Sequence, residues 1–262
     1  MEILLVFFTI FSQLAVGMTV ISAVRQWQIP AEQNVRRQNR DWLVAGGFFL
    51  AALIIHFFQM EDSLNSPRAV LNIQSVWWLR EMILMMLFGA GWVLSYLAMG
   101  NKTDGPRWTI GATALIGILL IVSSGMVYSS PHSPSFNNGI PVIYAMLTAC
   151  ILGTSFSSWF TPERHQFHLV RVLAIGLVIG LLVYLLIPTV WLSGGSAMQS
   201  TAMIYFRSPL FWIHISSEYL LGLLILGFFQ KIPGWLPLLL LAGEILGRIS
   251  IFYFNSHASI IP

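Results

Sequence analysis

Long apolar stretches separated by shorter polar connections dominate the pattern of the chain. Each stretch is close to the length of roughly 20 residues that an α-helix needs to cross a bilayer. The pattern therefore predicts an all-α integral membrane protein, built as a single polytopic membrane domain over residues 1–262. Eight transmembrane helices are expected at about 3–24, 42–60, 75–99, 108–128, 141–159, 169–192, 210–229 and 236–254.

Composition and charge agree with a membrane location. Hydrophobic residues make up 56% of the chain and charged residues 9%, whereas soluble domains carry about 25% charged residues. Cytoplasmic connections collect Lys and Arg, and nine of the 13 basic residues lie at the connections 1–2, 3–4, 5–6 and 7–8. Both termini are therefore expected on the outer side of the membrane. From the composition, membrane lipid is an expected partner and nucleic acid is not.

Ionisable residues inside the spans are the candidate functional groups, because a charge in a bilayer is costly and usually functional. Tyr128 ends the fourth span on the side where these groups collect. The single cysteine, Cys150, excludes an intrachain disulfide and a cysteine-ligated cluster or zinc site within this chain. Seven ionisable residues are predicted in the outer half of the membrane: His56, Arg80, Glu81, His214, Glu218, Glu244 and Arg248.

Two pairs of these residues are spaced four apart, so each pair shares a helix face. Glu244 and Arg248 are predicted to form a structural ion pair facing the bundle interior, although a role in proton or ligand handling stays open. For His214 and Glu218 the structural and functional interpretations are both open. Glu81 has no basic residue on its own helix face and is the expected proton acceptor.

Five segments occur in a specific order: FTIFSQLAVGMTVISA (8–23), SPRAVLN (66–72), WWLREM (77–82), MVY (126–128) and LLLLAGEILGRISIFY (238–253). Together they resemble the membrane anchor subunit of dimethyl-sulfoxide reductase-type enzymes. The resemblance implies a subunit that binds menaquinol as its substrate and carries no haem or iron–sulfur cluster itself. It also implies two partners, an iron–sulfur electron-transfer subunit and a molybdopterin catalytic subunit. The chain would contribute the quinol site to an oxidoreductase complex of anaerobic electron transport.

The resemblance also implies site residues. Glu81, His56 and Tyr128 are the expected catalytic groups, and Ser63 and Arg68 complete the expected quinol contacts. Ser63 stands where the family has its quinol-linked histidine, and His56, two turns earlier on about the same face, is the candidate substitute.

Two other functions compete with this hypothesis. A b-type cytochrome would use His56 and His214 as axial haem ligands. A secondary transporter would line its path with the charged residues. The longer outer connections, at 2–3, 4–5 and 6–7, further predict a docking surface on the outer face.

Overall fold

The computed structural model describes residues 2–28, 35–64, 76–100, 107–129 and 135–258, and every regular element in these ranges is helical. A 3₁₀ turn, Ser158–Phe160, follows the fifth helix, and the eighth helix contains a π-helical stretch, Ile215–Leu220. The helices are α1 (Glu2–Gln28), α2 (Val35–Leu64), α3 (Val76–Gly100), α4 (Arg107–Val127), α5 (Ile140–Ser157), α6 (Glu163–Trp191), α7 (Ser196–Arg207), α8 (Pro209–Phe229) and α9 (Leu236–Ala258).

Seven segments of the described residues are long and apolar enough to cross a membrane. This finding confirms the all-helical, multi-pass character that the sequence predicts. The predicted eighth span, 236–254, is helical as part of α9, but it is not among the seven, so its crossing and the side of the termini stay predictions. The seven segments are Ile3–Trp27, Asn39–Phe58, Val76–Met99, Trp108–Val127, Ile140–Phe160, His165–Trp191 and Pro209–Phe229.

The predicted connection between the sixth and seventh spans contains a further helix, α7. Its sequence SAMQSTAMIYFR mixes polar and apolar residues, so a window that averages hydropathy does not detect it. Thr201, Ala202 and Tyr205 form its buried face, which packs against α6 and α9. Residue Ser208 then separates α7 from α8, and Pro209 occupies the first turn of α8, where a missing N–H costs nothing.

Helix α1 lies at the centre of the bundle. The share of the apolar membrane-spanning stretch that is buried is 67% in α1 and 72% in α5, but only 22% in α3 and 28% in α6. Val6, Ile10 and Leu14 of α1 join the core formed with α5, α6, α8 and α9. Phe8 and Val16 point into a second core, formed with α2, α3 and α4. Helix α1 therefore separates two packed groups of helices and contacts both.

The close approach of α1 and α5 depends on two glycines. A Cβ placed on Gly17 would lie 2.0 Å from the carbonyl oxygen of Ala149, and a Cβ on Gly153 would lie 2.5 Å from the Gly17 Cα. Small residues that let two backbones touch are the usual basis of helix packing in membranes. The polar groups of α1 and α5 are thereby brought within reach of each other.

Side-chain contacts define two ends of the bundle. At one end, which we name the N-terminal face, the Ser123 hydroxyl at the end of α4 donates to the Trp77 carbonyl at the start of α3. At the opposite face, Arg25 near the end of α1 pairs with Asp41 near the start of α2. Arg25 also donates to Thr161 after α5, at 3.1 Å.

Candidate functional site

Glu81 is buried between three helices, and only 2% of it is exposed. It comes in the second turn of α3, a helix whose other faces are largely exposed. A narrow gap surrounds its carboxyl group, and this gap has no room for a water-sized sphere. A ligand ring therefore has to part the helices to enter. The gap is lined by Phe8, Ser12, Gln13 and Val16 of α1, Glu81 and Met85 of α3, and Leu120, Ile121 and Ser124 of α4.

The Glu81 carboxyl has no charged partner among the described residues. Its Oε1 atom is buried without a hydrogen-bond partner there, and the Ser124 hydroxyl lines the same gap and interacts with the carboxyl. Arg80 does not compensate the carboxyl, because its guanidinium stacks on the Trp77 ring, 4.6 Å from the ring centre. The prediction that Glu81 lacks a base on its own helix therefore agrees with the geometry. A buried acid in this state can take up a proton or donate a hydrogen bond to a ligand.

His56 and Tyr128 lie beside this gap rather than on its walls. The His56 ring packs on the Phe8 ring with centroids 4.7 Å apart, and both of its nitrogens are buried without a partner in the described residues. Tyr128 is half-buried one residue beyond the end of α4, and its hydroxyl interacts electrostatically with Glu81 and Arg248. The structure thus brings Glu81 and His56 to the same stretch of α1, and Tyr128 interacts with Glu81.

Glu244 and Arg248 are both buried, with 1% and 5% exposed, but their connection is indirect. Arg248 Nη2 donates to Thr148 Oγ1 of α5 at 2.9 Å, and the Thr148 hydroxyl lies 3.0 Å from Glu244 Oε2. Among the described residues no oxygen of Glu244 lies within 4 Å of the guanidinium nitrogens, so the predicted direct pair is replaced by a bridge through Thr148. Arg248 also donates to Gln13 Oε1 of α1 at 2.7 Å.

His214 and Glu218 join this second cluster from α8. The Nδ1 atom of His214 lies 2.9 Å from the Gly243 carbonyl oxygen and 3.2 Å from Glu218 Oε2. Because a carbonyl oxygen only accepts, Nδ1 carries a hydrogen. Glu218 lies in the π-helical stretch of α8, and its carboxyl group interacts with the Glu244 carboxyl group and with the Arg248 guanidinium.

Two glycines of α9 make room for these side chains. A Cβ on Gly243 would lie 2.7 Å from the Glu218 Cβ, and a Cβ on Gly247 would lie 2.5 Å from the His214 ring. The spacing Gly243-x-x-x-Gly247 places both on one face of α9. Helix α8 therefore presses its His214–Glu218 face directly onto the backbone of α9.

Aromatic hydroxyls surround the second cluster. Tyr184 of α6 stacks on Tyr144 of α5, with ring centroids 4.5 Å apart, and meets His214 edge-on at 4.8 Å. Tyr219 packs against Tyr184 at 5.5 Å and against His214 at 5.3 Å. The hydroxyls of Tyr144, Tyr184 and Tyr219 are buried without hydrogen-bond partners in the described part of the chain. Sequence periodicity gave no reason to group these tyrosines, because they come from three helices.

Gln13 connects the two clusters. Its side chain lines the Glu81 gap, and its amide oxygen accepts the hydrogen bond from Arg248. Two candidate histidines, in contrast, are not brought together: His56 packs against α1 and His214 against α9. Arg68 lies outside the described residues, and of Ser63 the structure describes only its place near the end of α2. No group of three or more His, Cys, Asp or Glu side chains that could hold a metal ion occurs among the described residues.

One buried ion pair was missed by sequence reasoning. Arg25 was assigned to topology, yet only 5% of it is exposed and it pairs with the fully buried Asp41. A carboxylate next to the basic run at the start of α2 was the available signal. The pair lies at the face opposite the Glu81 gap, so it is a packing feature rather than part of the site.

No protein-family model matches this chain, and a search of curated proteins finds no match either. A function for the chain therefore has to come from the geometry of the two clusters and from the motifs described above.

Proposed function

We propose that this chain is the quinol-oxidising membrane anchor subunit of a dimethyl-sulfoxide reductase-like molybdoenzyme. The observation that supports the proposal best is the buried Glu81 carboxyl in a gap between α1, α3 and α4. The resemblance of the ordered motifs adds the substrate, menaquinol, and the two partners, an iron–sulfur subunit and a molybdopterin subunit. The proposed location is a bacterial inner membrane.

The lining of the gap suits a quinol. Apolar side chains from all three helices can cover the ring and the start of an isoprenoid tail, and a few polar groups can orient the hydroxyls. The polar members of the lining are Glu81, Ser12, Gln13 and Ser124. The tight closure of the gap requires that α3 moves away from α1 for the ring to enter, which is feasible because α3 is the least buried span.

Oxidation of a quinol releases two electrons and two protons. In the proposed mechanism the ionised Glu81 carboxylate accepts a hydrogen bond from one quinol hydroxyl and takes its proton as general base. The unpartnered imidazole of His56, packed behind Phe8, is placed to take the proton of the second hydroxyl. The electrons would leave to an iron–sulfur cluster of the partner subunit docked over the N-terminal face. Tyr128, one residue beyond the end of α4, interacts with Glu81 and would extend the polar route toward that face.

Replacing Glu81 with glutamine tests the proposal, because the amide keeps the volume of the side chain but cannot take a proton. In the assembled complex, Glu81→Gln should lower the rate of oxidation of a menaquinol analogue about 10²-fold, the effect of losing a general base. The rate is measured by stopped-flow absorbance of the quinone product. The matched control is Arg80→Gln, which alters the adjacent charge on the outward face and should leave the rate unchanged. An unchanged rate in an assembled Glu81→Gln complex would remove Glu81 from the mechanism.

A further inference from the structure

The cluster at α8 and α9 contains more acidic groups than bases that can neutralise them. Glu218 and Glu244 are 0% and 1% exposed, and Arg248 is the guanidinium that interacts with both. Two carboxylates and one guanidinium would leave a net negative charge in the bundle interior. An uncompensated buried charge is strongly unfavourable, so a proton on the cluster is the least costly solution.

Packing and hydrogen-bond chemistry place that proton on the two carboxyl groups. Glu218 Oε2 would lie 2.9 Å from a Cβ on Gly243, the neighbour of Glu244. Both oxygens of Glu218 and Oε1 of Glu244 are buried without a hydrogen-bond partner in the described part of the chain, and neither carboxyl group can donate to the other unless one of them is protonated. The Thr148 hydroxyl donates to the Tyr144 carbonyl oxygen at 2.9 Å and to Glu244 Oε2 at 3.0 Å. Because the hydroxyl has a single hydrogen, these two acceptors share it, and Thr148 compensates the Glu244 carboxyl only in part.

The other titratable groups facing the cluster do not supply this neutralisation. Tyr144 of α5, Tyr184 of α6, Tyr205 of α7 and Tyr219 of α8 are neutral when protonated, and Gln13 of α1 carries no charge. His214 is the one further base among the described neighbours. Its Nε2 atom has no hydrogen-bond partner there and would lie 2.8 Å from a Cβ on Gly247, so it faces the α9 backbone. A protonated Nε2 would bury an N–H without an acceptor, which disfavours the imidazolium.

We infer that Glu218 and Glu244 form a buried proton-binding site in which the two carboxyl groups share one proton beside Arg248. The ligand is a proton rather than a metal cation. The site goes beyond the proposed quinol chemistry and does not depend on it. It is joined to the Glu81 gap through Thr148, Arg248 and Gln13, and the π-helical turn of α8 carries Glu218 to it. Local π-helical turns are frequent at functional sites.

Infrared spectroscopy tests the inference on the full-length chain in lipid nanodiscs. The C=O stretch of a protonated carboxylic acid is separate from the bands of a carboxylate, and its shift in D₂O identifies it. The wild type should show one such band from the pair. Glu218→Gln and Glu244→Gln should each abolish it, because the remaining carboxyl then ionises beside Arg248. The double variant, Glu218→Gln with Glu244→Gln, should lose no more band intensity than either single variant. Arg248→Gln should instead add a second protonated carboxyl and roughly double the band.

The control is Asp41→Asn, which removes a carboxylate that already has Arg25 as its partner and should abolish no acid band. Each variant is checked for its helical circular dichroism and a single gel-filtration peak. If Glu244→Gln does not fold, Glu244→Asp replaces it: a shared proton shifts the band, whereas a proton held by Glu218 alone leaves it in place.

Three results would overturn the inference. A band that persists in Glu244→Gln assigns the proton to Glu218 alone. The absence of any pair band in the wild type places the charge balance on His214 or on a bound cation. If Glu218→Gln and Glu244→Gln each remove only part of the band, and the double variant removes the sum of the two parts, the two carboxyl groups are independent acids.

Discussion

Arg248 illustrates how much a single residue organises in this bundle. Its guanidinium reaches Gln13 of α1 and Thr148 of α5 from its own helix α9, and it interacts electrostatically with two carboxyl groups. An arginine can do this because its planar group presents five N–H donors. Arg248 thus fixes three helices against each other and compensates the charge of the acidic pair. Arg248 therefore connects all of these groups rather than serving Glu244 alone.

Truncating the Arg248 side chain should destabilise the folded chain. Arg248→Ala removes the charge that compensates the buried acids and leaves Gln13 and Thr148 without their donor, which should cost about 3–5 kcal/mol. The expected result is less inserted protein and a lower unfolding midpoint in detergent. Combining Arg248→Ala with both Glu218→Gln and Glu244→Gln removes every charge of the cluster, restores the charge balance and should lose less than the single change. If Arg248→Ala accumulates normally but no longer supports quinol oxidation, Arg248 belongs to the quinol site instead.

Sequence reasoning found the buried acids but not their partners. Glu81 and Glu244 stood out because a carboxyl in an apolar helix is costly, and that cost depends only on local composition. The i,i+4 rule then assigned Arg248 to Glu244, because spacing along one helix is all that a single sequence shows. The actual contacts of Arg248 come from residues more than 90 positions away. Such contacts depend on which helices pack together, and that information is not local.

At the scale of the elements, the α8–α9 interface combines two unusual features. The π-helical turn widens α8 at Ile215–Leu220, and α9 presents the bare backbone of Gly243 and Gly247 to it. The polar side chains His214 and Glu218 occupy the space that these glycines leave. Hydropathy patterns predicted both helices but neither feature, because a π-turn changes the register of one turn without changing the composition of the segment.

A methyl group on α9 should disrupt this interface. Gly247→Ala places its Cβ 2.5 Å from His214, a ring held between α9 and the tyrosines, so the helices must move apart. Overpacking of this kind costs about 1–3 kcal/mol, and the unfolding midpoint in detergent should fall accordingly. Gly227→Ala is the matched control in α8, since nothing lies within 4 Å of its added Cβ, and it should leave the midpoint unchanged or raised. Equal effects of the two substitutions would contradict the proposed packing.

Helix bounds show a second limit of sequence patterns at this scale. The structure begins α2 at Val35 and α6 at Glu163, earlier than the predicted spans at 42 and 169. Both helices continue into polar residues, because backbone hydrogen bonds propagate a helix beyond the apolar segment that defines a span. Helix α7 was missed for the related reason that it is amphipathic and short. Hydropathy therefore located the segments that a bilayer can cover but not the full length of the helices.

At the scale of the whole molecule, the buried polar groups lie at different levels of the bundle. The Glu81 gap is nearer the N-terminal face and the acidic pair is near the middle of its helices, whereas the buried ion pair Arg25–Asp41 lies at the opposite face. In the proposed orientation the N-terminal face is periplasmic, so protons and electrons from a quinol would leave toward the same compartment. The cycle would then move no net charge across the bilayer.

The proposed orientation and docking surface are tested together by labelling single cysteines. Gln199 on α7 and Lys231 between α8 and α9 are both exposed and lie at opposite faces of the bundle. In a background in which Cys150 is replaced by serine, Gln199→Cys should react with a membrane-impermeant maleimide added from the periplasmic side. Lys231→Cys should react only after the cells are opened. Co-expression of the iron–sulfur and molybdopterin partners should then protect Gln199→Cys and leave Lys231→Cys reactive, because electrons must leave from the edge of the Glu81 gap nearest the N-terminal face. Periplasmic labelling of Lys231→Cys would reverse the orientation, and protection of Lys231→Cys alone would place the partners on the other side of the membrane.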